Sequence, residues 1–352
     1  MKILVIMLFL GTVVAEPYQP EHADMVLLSW SQELMAVDTS ETLKQRLKNE
    51  LQQAQKPGYS YLYGVAESRL AAHINNSQDS EEWLLWAQIM QHTHNFETAK
   101  AWLNKVLTVE PQQPQAHLLQ AQIAVLEQDF DVAKSSCLRL LGGSDITTAS
   151  VCLLQVASHQ GQLLESYEKL SQVWSQMSDS DYRLWVVLIL SDMAERMGEP
   201  TLAEYWLEQM PLQDSSISHI QAWADIKLKN GQAQEVLSEL HRLKKELPSL
   251  EDGLLLRLAM AQKYFNLAAK HNNNPWRQEV ARKIRLREQR QDVHHAKDMA
   301  LYYLEFTSDK KRALYWAEIN WQQSKEYADT VVLQRARKEA GVMLDLSQGA
   351  QL

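Results

Sequence analysis

Glycine and proline are scarce, eleven and nine in 352 residues, which is roughly 3% of each where about 7% and 5% are usual. A sandwich, a barrel or a doubly wound sheet needs such residues at its turns, so these classes are excluded and helix remains. Long apolar runs are also missing. After the N-terminus the longest, Leu184–Leu190, is stopped by Ser191 and Asp192, far short of the roughly 18 residues a membrane-spanning helix needs. Basic charge is in deficit, with 35 Lys and Arg against 44 Asp and Glu, which argues against nucleic acid or an anionic membrane as a partner. There is no phosphate-binding glycine loop, paired-glycine fingerprint, nucleophile elbow or zinc-protease pair of histidines. What is present, 45% hydrophobic and 22% charged residues, suffices for a packed core and excludes disorder and collagen.

The N-terminus stands apart. Lys2 precedes the apolar run Ile3–Leu10, and Val13 and Ala15 come three and one residues before the break at Glu16 and Pro17. A positive start, a short apolar stretch and modest residues at a break are the pattern of a secretory leader. A buried first helix would have to continue through Pro17, which proline opposes. The expectation is a leader over 1–15 and an exported, periplasmic mature chain. No cysteine follows the apolar run, which argues against a lipid anchor.

Helical periodicity is strongest between residues 80 and 145. Trp83, Trp86, Ala87 and Met90 recur at the spacing of one helix face, and after a break at His94 and Asn95 a second stripe runs Ala99, Trp102, Leu103, Val106, to be stopped by Pro111. Asp79 and Glu82 have the spacing of a capping box. Thirty-four residues separate Ala87 from Ala121 and Ala99 from Ala133. This register of large, small and apolar residues resembles the tetratricopeptide repeat family. In the second copy His117 replaces the tryptophan and Asp145 the proline, and in the third Tyr167 stands where a small residue is expected. The resemblance implies an all-α fold: an α-solenoid of antiparallel helix pairs wound into a tetratricopeptide-like superhelix.

Further pairs follow at lower contrast. Trp185–Met197 is followed by Gly198 and by a helix from Pro200 to Pro211 with Ala203 as its small residue. Ile220–Lys229, the turn Asn230–Gly231 and Gln232–Glu246 form the next pair, closed by Pro248. Leu254–Ala269 ends at the asparagine run before Pro275, and the stretch from His294 to Gly341 again reads helix, turn and helix, with Ala313 and Ala317. Before the repeats, His22–Val37, Thr39–Gln55 (capped by Thr39 or Ser40) and Tyr59–Ile74 read as helices. The expected organisation is a leader over 1–15, capping helices over 16–78, a solenoid over 79–271, a linker with a basic helix over 272–291, a C-terminal unit over 292–345 and a tail over 346–352.

Candidate chemistry is sparse. Cys137 and Cys152 lie about equally far from the turn near Gly142–Ile146, so antiparallel helices place them side by side, either as a disulfide or as two buried small hydrophobes. Neither His92 with His94 nor His294 with His295 gives an i, i+4 pair or a third ligand, so no metal site and no cofactor is expected. In the tetratricopeptide family the concave groove is lined by fixed positions of each first helix. Carried over, these include Leu84, Gln88, Gln91 and His92, then Leu118, Gln122 and Val125. The lysines and asparagines of a carboxylate clamp are missing there, so the resemblance implies an extended or helical peptide, or an idle face kept soluble by glutamine. Between 277 and 290 six basic residues oppose only Glu279 and Glu288, either a solvated face or a docking stripe for an acidic partner.

The reading is therefore a non-enzymatic scaffold that binds an unidentified protein or peptide partner in the groove. Tyr59–Gln160 and Ala313–Gly341 also resemble a group of exported bacterial tetratricopeptide proteins often encoded beside membrane proteins of the hydrogenase and urease accessory type. That implies an alternative, an accessory factor of a membrane-associated nickel-type system. An enzyme with an unrecognised groove site is the third.

Overall fold

Punctuation sets the elements. In the computed structural model, which describes residues 42–142, 146–177, 182–247, 249–269 and 273–342, seventeen α-helices are separated by short turns and no strand occurs among the described residues. The pairs are α1 (Leu43–Ala54) with α2 (Leu62–Ala71), α3 (Ser80–His92) with α4 (Phe96–Val109), and α5 (Pro114–Glu127) with α6 (Phe130–Arg139). Next come α7 (Ile146–His159) with α8 (Leu163–Gln176), α9 (Arg183–Arg196) with α10 (Pro200–Leu207), and α11 (Ile217–Lys229) with α12 (Ala233–Glu246). The last are α13 (Asp252–Ala269) with α14 (Trp276–Gln289) and α15 (Ala296–Phe306) with α16 (Lys310–Gln323), capped by α17 (Tyr327–Glu339). The expected leader, the expected helix His22–Val37, the Thr39 and Ser40 caps, Pro248 and the tail lie outside the described residues. Within them, α1 is capped by Thr42, whose hydroxyl accepts from the Gln45 N–H.

Local signals act as physical chemistry requires, with adjustments. Asp79 caps α3 by accepting from the Glu81 N–H at 2.9 Å, but Glu82 accepts from the Ser77 hydroxyl instead, so the expected reciprocal box is not made. Trp83 donates its indole N–H to the Ser77 carbonyl at 3.0 Å. His117, at the matching place of α5, meets the Pro111 carbonyl at 2.9 Å through Nε2. A carbonyl only accepts, so Nε2 carries the proton, and histidine substitutes for tryptophan by making the same bond.

Small residues let the helices nest. The eighth residue of several first helices is Ala87, Ala121, Ala224 or Ala259, and the fourth residue of several second helices is Ala99, Ala133, Ala203 or Ala313, all buried. Tyr167 is not an exception to this rule. The step from α6 to α8 is one residue shorter than 34, so Ser166, 1% exposed, takes the small position. First helices stack on one another and are apolar on several sides, as in α9 and α13, whereas second helices such as α12 bury one stripe, Ala233, Val236, Leu240 and Leu243. The helix expected as a basic linker is α14, the second helix of the α13 pair.

The chain is thus an all-α solenoid of tetratricopeptide-like helix pairs. It winds far enough that later pairs meet earlier ones. The Ile217 N–H donates to the Gln55 carbonyl at 2.8 Å, the Gly58 N–H to Glu251 Oε1 at 2.7 Å, and the Lys325 N–H to the Leu126 carbonyl at 3.0 Å.

Candidate functional site

Of the groove positions, Leu84, Leu118 and Val125 are committed to packing. Leu84 is 5% exposed in the apolar cluster of α1–α5. Leu118 and Val125, half-buried, cover a small cluster of Ala121, Ala124, Ala133, Ala149, Cys137 and Cys152. Leu84 is thus part of the packed layer, while Leu118 and Val125 keep one side at the surface.

The amides behave differently. Gln88, Gln91 and Gln122 are half-buried, and none of their side-chain amides makes a hydrogen bond with the described residues. His92 follows them at the end of α3, reachable by water and stacked on Tyr63 with ring centroids 3.3 Å apart. Exposure does not mean an open surface here. Burial among surrounding atoms, with the nearby His94 and His295 adding to the effect, pushes its imidazole pKa down to about 4. Burial likewise raises the Tyr63 hydroxyl to about 12.

Winding brings together two histidine pairs that the sequence keeps apart. The His94 ring lies nearly parallel to that of His294, centroids 6.4 Å apart, and His295 Nδ1 meets Asp292 Oδ2 at 3.0 Å. Burial pushes His94 to about 4, with His294 and His295 adding to the effect. Despite this convergence, no group of three His, Cys, Asp or Glu side chains among the described residues is arranged to hold a metal ion.

In the later pairs the contacts between first helices are charged. Arg257, 2% exposed on α13, donates to Asp225 of α11 at 2.7 Å, to Asp298 of α15 at 2.8 Å and to the Gly253 carbonyl at 3.0 Å. Burial alone would raise the Asp298 carboxyl, but Arg257 outweighs it and holds it below the usual range. Gly253 leaves room at this crossing: a Cβ there would press on the Gln221 amide and stand 2.6 Å from Asp298 Oδ2, so both side chains would have to shift. Glu305 on α15 accepts from Lys263 of α13 at 2.7 Å and from Arg335 of α17 at 2.5 Å. Lys297 pairs with Asp329 at 3.0 Å. First helix is thereby tied to first helix across three junctions.

The remaining candidates are distributed. Cys137 and Cys152 are bonded, Cα atoms 5.5 Å apart. On α14, Arg277 donates to the Phe306 carbonyl, while Lys283 and Arg287 pair with Asp252. Arg282, Arg285 and Arg290 stay exposed. No helix among the described residues is long and apolar enough to cross a membrane.

No family model matches the chain, and no curated protein does. Among solved structures it is similar to the C-terminal part of a TPR repeat-containing protein from Cytophaga hutchinsonii, with 13% identity over 70% of this chain and 98% of that one and a TM-score of 0.38. It is also similar to the human IFIT1 dimer with m7Gppp-AAAA, with 14% identity over 91% of this chain and 69% of that one and a TM-score of 0.36. The repeat character rests on the chain's own helix pairs.

Proposed function

We propose that this chain, a stack of tetratricopeptide-like helix pairs, is a non-catalytic scaffold that holds a protein partner on the inner face of its early pairs. The observation that carries this reading is the row of unspent amides. Gln88, Gln91 and Gln122 are half-buried and their side-chain amides have no partner in the described chain, so their donors and acceptors are left to water or to a ligand. Amides in a recess suit the backbone of a peptide segment, whose N–H and C=O groups need both a donor and an acceptor. His92 at the end of the row supplies an uncharged ring with one donor and one acceptor near pH 7. The exposed Arg282, Arg285 and Arg290 are what α14 leaves for an acidic region of the same partner.

Export through residues 1–15 to the periplasm belongs to the same proposal. The leader-like start and the bonded cysteine pair support it, since disulfides persist in oxidising compartments. Sequencing the N-terminus of the mature protein tests it, with Glu16 the expected first residue.

For the binding face, the test is crosslinking in the cell followed by recovery of partners, comparing the native chain with Gln88→Glu plus Gln122→Glu. The change removes two donors and adds two charges in a recess. A single reproducible partner recovered by the native chain and lost at least roughly tenfold by the variant is the expected result. Equal recovery would remove the inner face from consideration.

A further inference from the structure

The turn inside a helix pair places one residue in the left-handed region, where glycine alone is at ease. Four such turns use glycine: Gly58, Gly161, Gly198 and Gly231, with φ of 85°, 85°, 79° and 78°, the last three with open space where a Cβ would stand. Two turns do not. His94 (φ 54°) and Gln128 (φ 63°) hold the same place in the α3–α4 and α5–α6 turns. A side chain retained in that region against its backbone preference points to a compensating contact.

In both turns that contact is made with a later turn of the superhelix. Gln128 donates its amide N–H to the Lys325 carbonyl at 3.1 Å, beside the bond from the Lys325 N–H to the Leu126 carbonyl at 3.0 Å and that from Lys325 Nζ to the Glu127 carbonyl at 3.4 Å. The His94 ring faces the His294 ring, nearly parallel with centroids 6.4 Å apart, and meets Phe96 of its own pair edge-on at 5.5 Å. A third turn of the same edge, between α1 and α2, has glycine both for its φ of 85° and for the space it leaves to a later turn. A Cβ at Gly58 would stand 3.2 Å from the Leu247 side chain. Its N–H reaches Glu251, and Gln55 next to it accepts from Ile217. Carbonyl ends of α1 and α5 thus meet N–H starts of α11 and α17, so that groups which helix ends leave unpaired satisfy one another.

We infer that these turns form a latch. Gly58, His94 and Gln128 fasten the early pairs to the pairs lying one superhelical turn later, which encloses the inner face, and release of the latch opens that face as a groove. The latch is a property of the fold and stands whatever the groove binds.

The test uses the full chain carrying His94→Gly and Gln128→Gly, followed by hydrogen exchange and small-angle X-ray scattering. Glycine suits both turns, so helical content should remain while the Ile217 and Lys325 amides exchange roughly tenfold faster and the radius of gyration rises. As control, Gly198→Gln strains a turn away from the seam and should leave both amides protected. The latch is refuted by native protection of those amides in the double variant, by loss of its helical content, which would make the two side chains parts of their own turns, or by equal acceleration in Gly198→Gln.

Discussion

The polar side chains that α3 and α5 hold at the expected groove positions and those that join the first helices of the later pairs, α11 to α17, carry opposite chemistry. In the early pairs the polar positions are amides with no partner in the described chain, Gln88, Gln91 and Gln122. In the later pairs they are charges that satisfy one another from helix to helix: Asp225 with Arg257 and Asp298, Lys263 with Glu305 and Arg335, Lys297 with Asp329. A buried charge must be paired and a neutral amide in a wet recess need not be. The later contacts are therefore fixed by their own network, and the early positions have bonding capacity left for something else.

The contrast is broken most directly at Arg257. Replacing it by Ala leaves Asp225 and Asp298 facing each other without the cation between them, and truncating one partner of a buried pair costs about 3–5 kcal/mol. Gln122→Ala, at an early position, should change stability by under about 0.5 kcal/mol. Denaturant unfolding of the two variants measures both, and similar losses would erase the distinction.

Between these two regions lies the thinnest part of the core, where Ala121, Ala124, Ala133 and Ala149 leave little apolar volume and the Cys137–Cys152 bond joins α6 to α7. A bridge closing a loop of 15 residues stabilises by about 3 kcal/mol in the chain-entropy account. Reduction should lower the melting temperature accordingly, and thiol titration under denaturing, non-reducing conditions should find no free thiol. Two free thiols, or an unchanged melt after reduction, would make the alanine cluster self-sufficient.

How much of this was legible depends on range. Ala87 with Ala121 and Ala99 with Ala133 announced the helix pairs because nesting helices require small residues at fixed places. The register at α8 was misread because one shortened step moved the small position to Ser166. The bonded cysteines sit across a single turn, within reach of spacing arguments. The meeting of His94 with His294 and the Asp225–Arg257–Asp298 bridge follow from how tightly successive pairs rotate, which is a sum of many small packing angles and leaves no periodic trace. One signal was available: a non-glycine residue at the turn place where later repeats have glycine, as at His94 and Gln128.

A smaller effect separates groove from core within the early pairs themselves. Leu84, inside the α1–α5 cluster, should cost about 2–3 kcal/mol as Leu84→Ala, and Leu118, half-buried at the edge of the cysteine cluster, about 1 kcal/mol. Equal losses would mean that both belong to the same packed layer and that only the amides line the recess.

The least change is expected where the two regions approach each other, at Glu326. Glu326 is exposed at the surface yet crowded by surrounding atoms, and that crowding, then the negative charges of Asp329 and Asp192, pushes its carboxyl up to about 7 against the pull of Lys297. A carboxyl raised in the folded state contributes stability that is present below its unfolded value near 4.5 and lost as pH rises through 7. His92 and His94, lowered to about 4, act in the opposite sense: their contribution is present above about 6.5 and lost as pH falls toward 4. Glu326→Gln should therefore raise the melting temperature at pH 8 and leave it nearly unchanged at pH 5. The gain should stay within about 1 kcal/mol, because water reaches the carboxylate and screens it. Calorimetry at the two pH values measures the difference, and an equal gain at both would assign the effect to the cap of α17 rather than to charge at the junction.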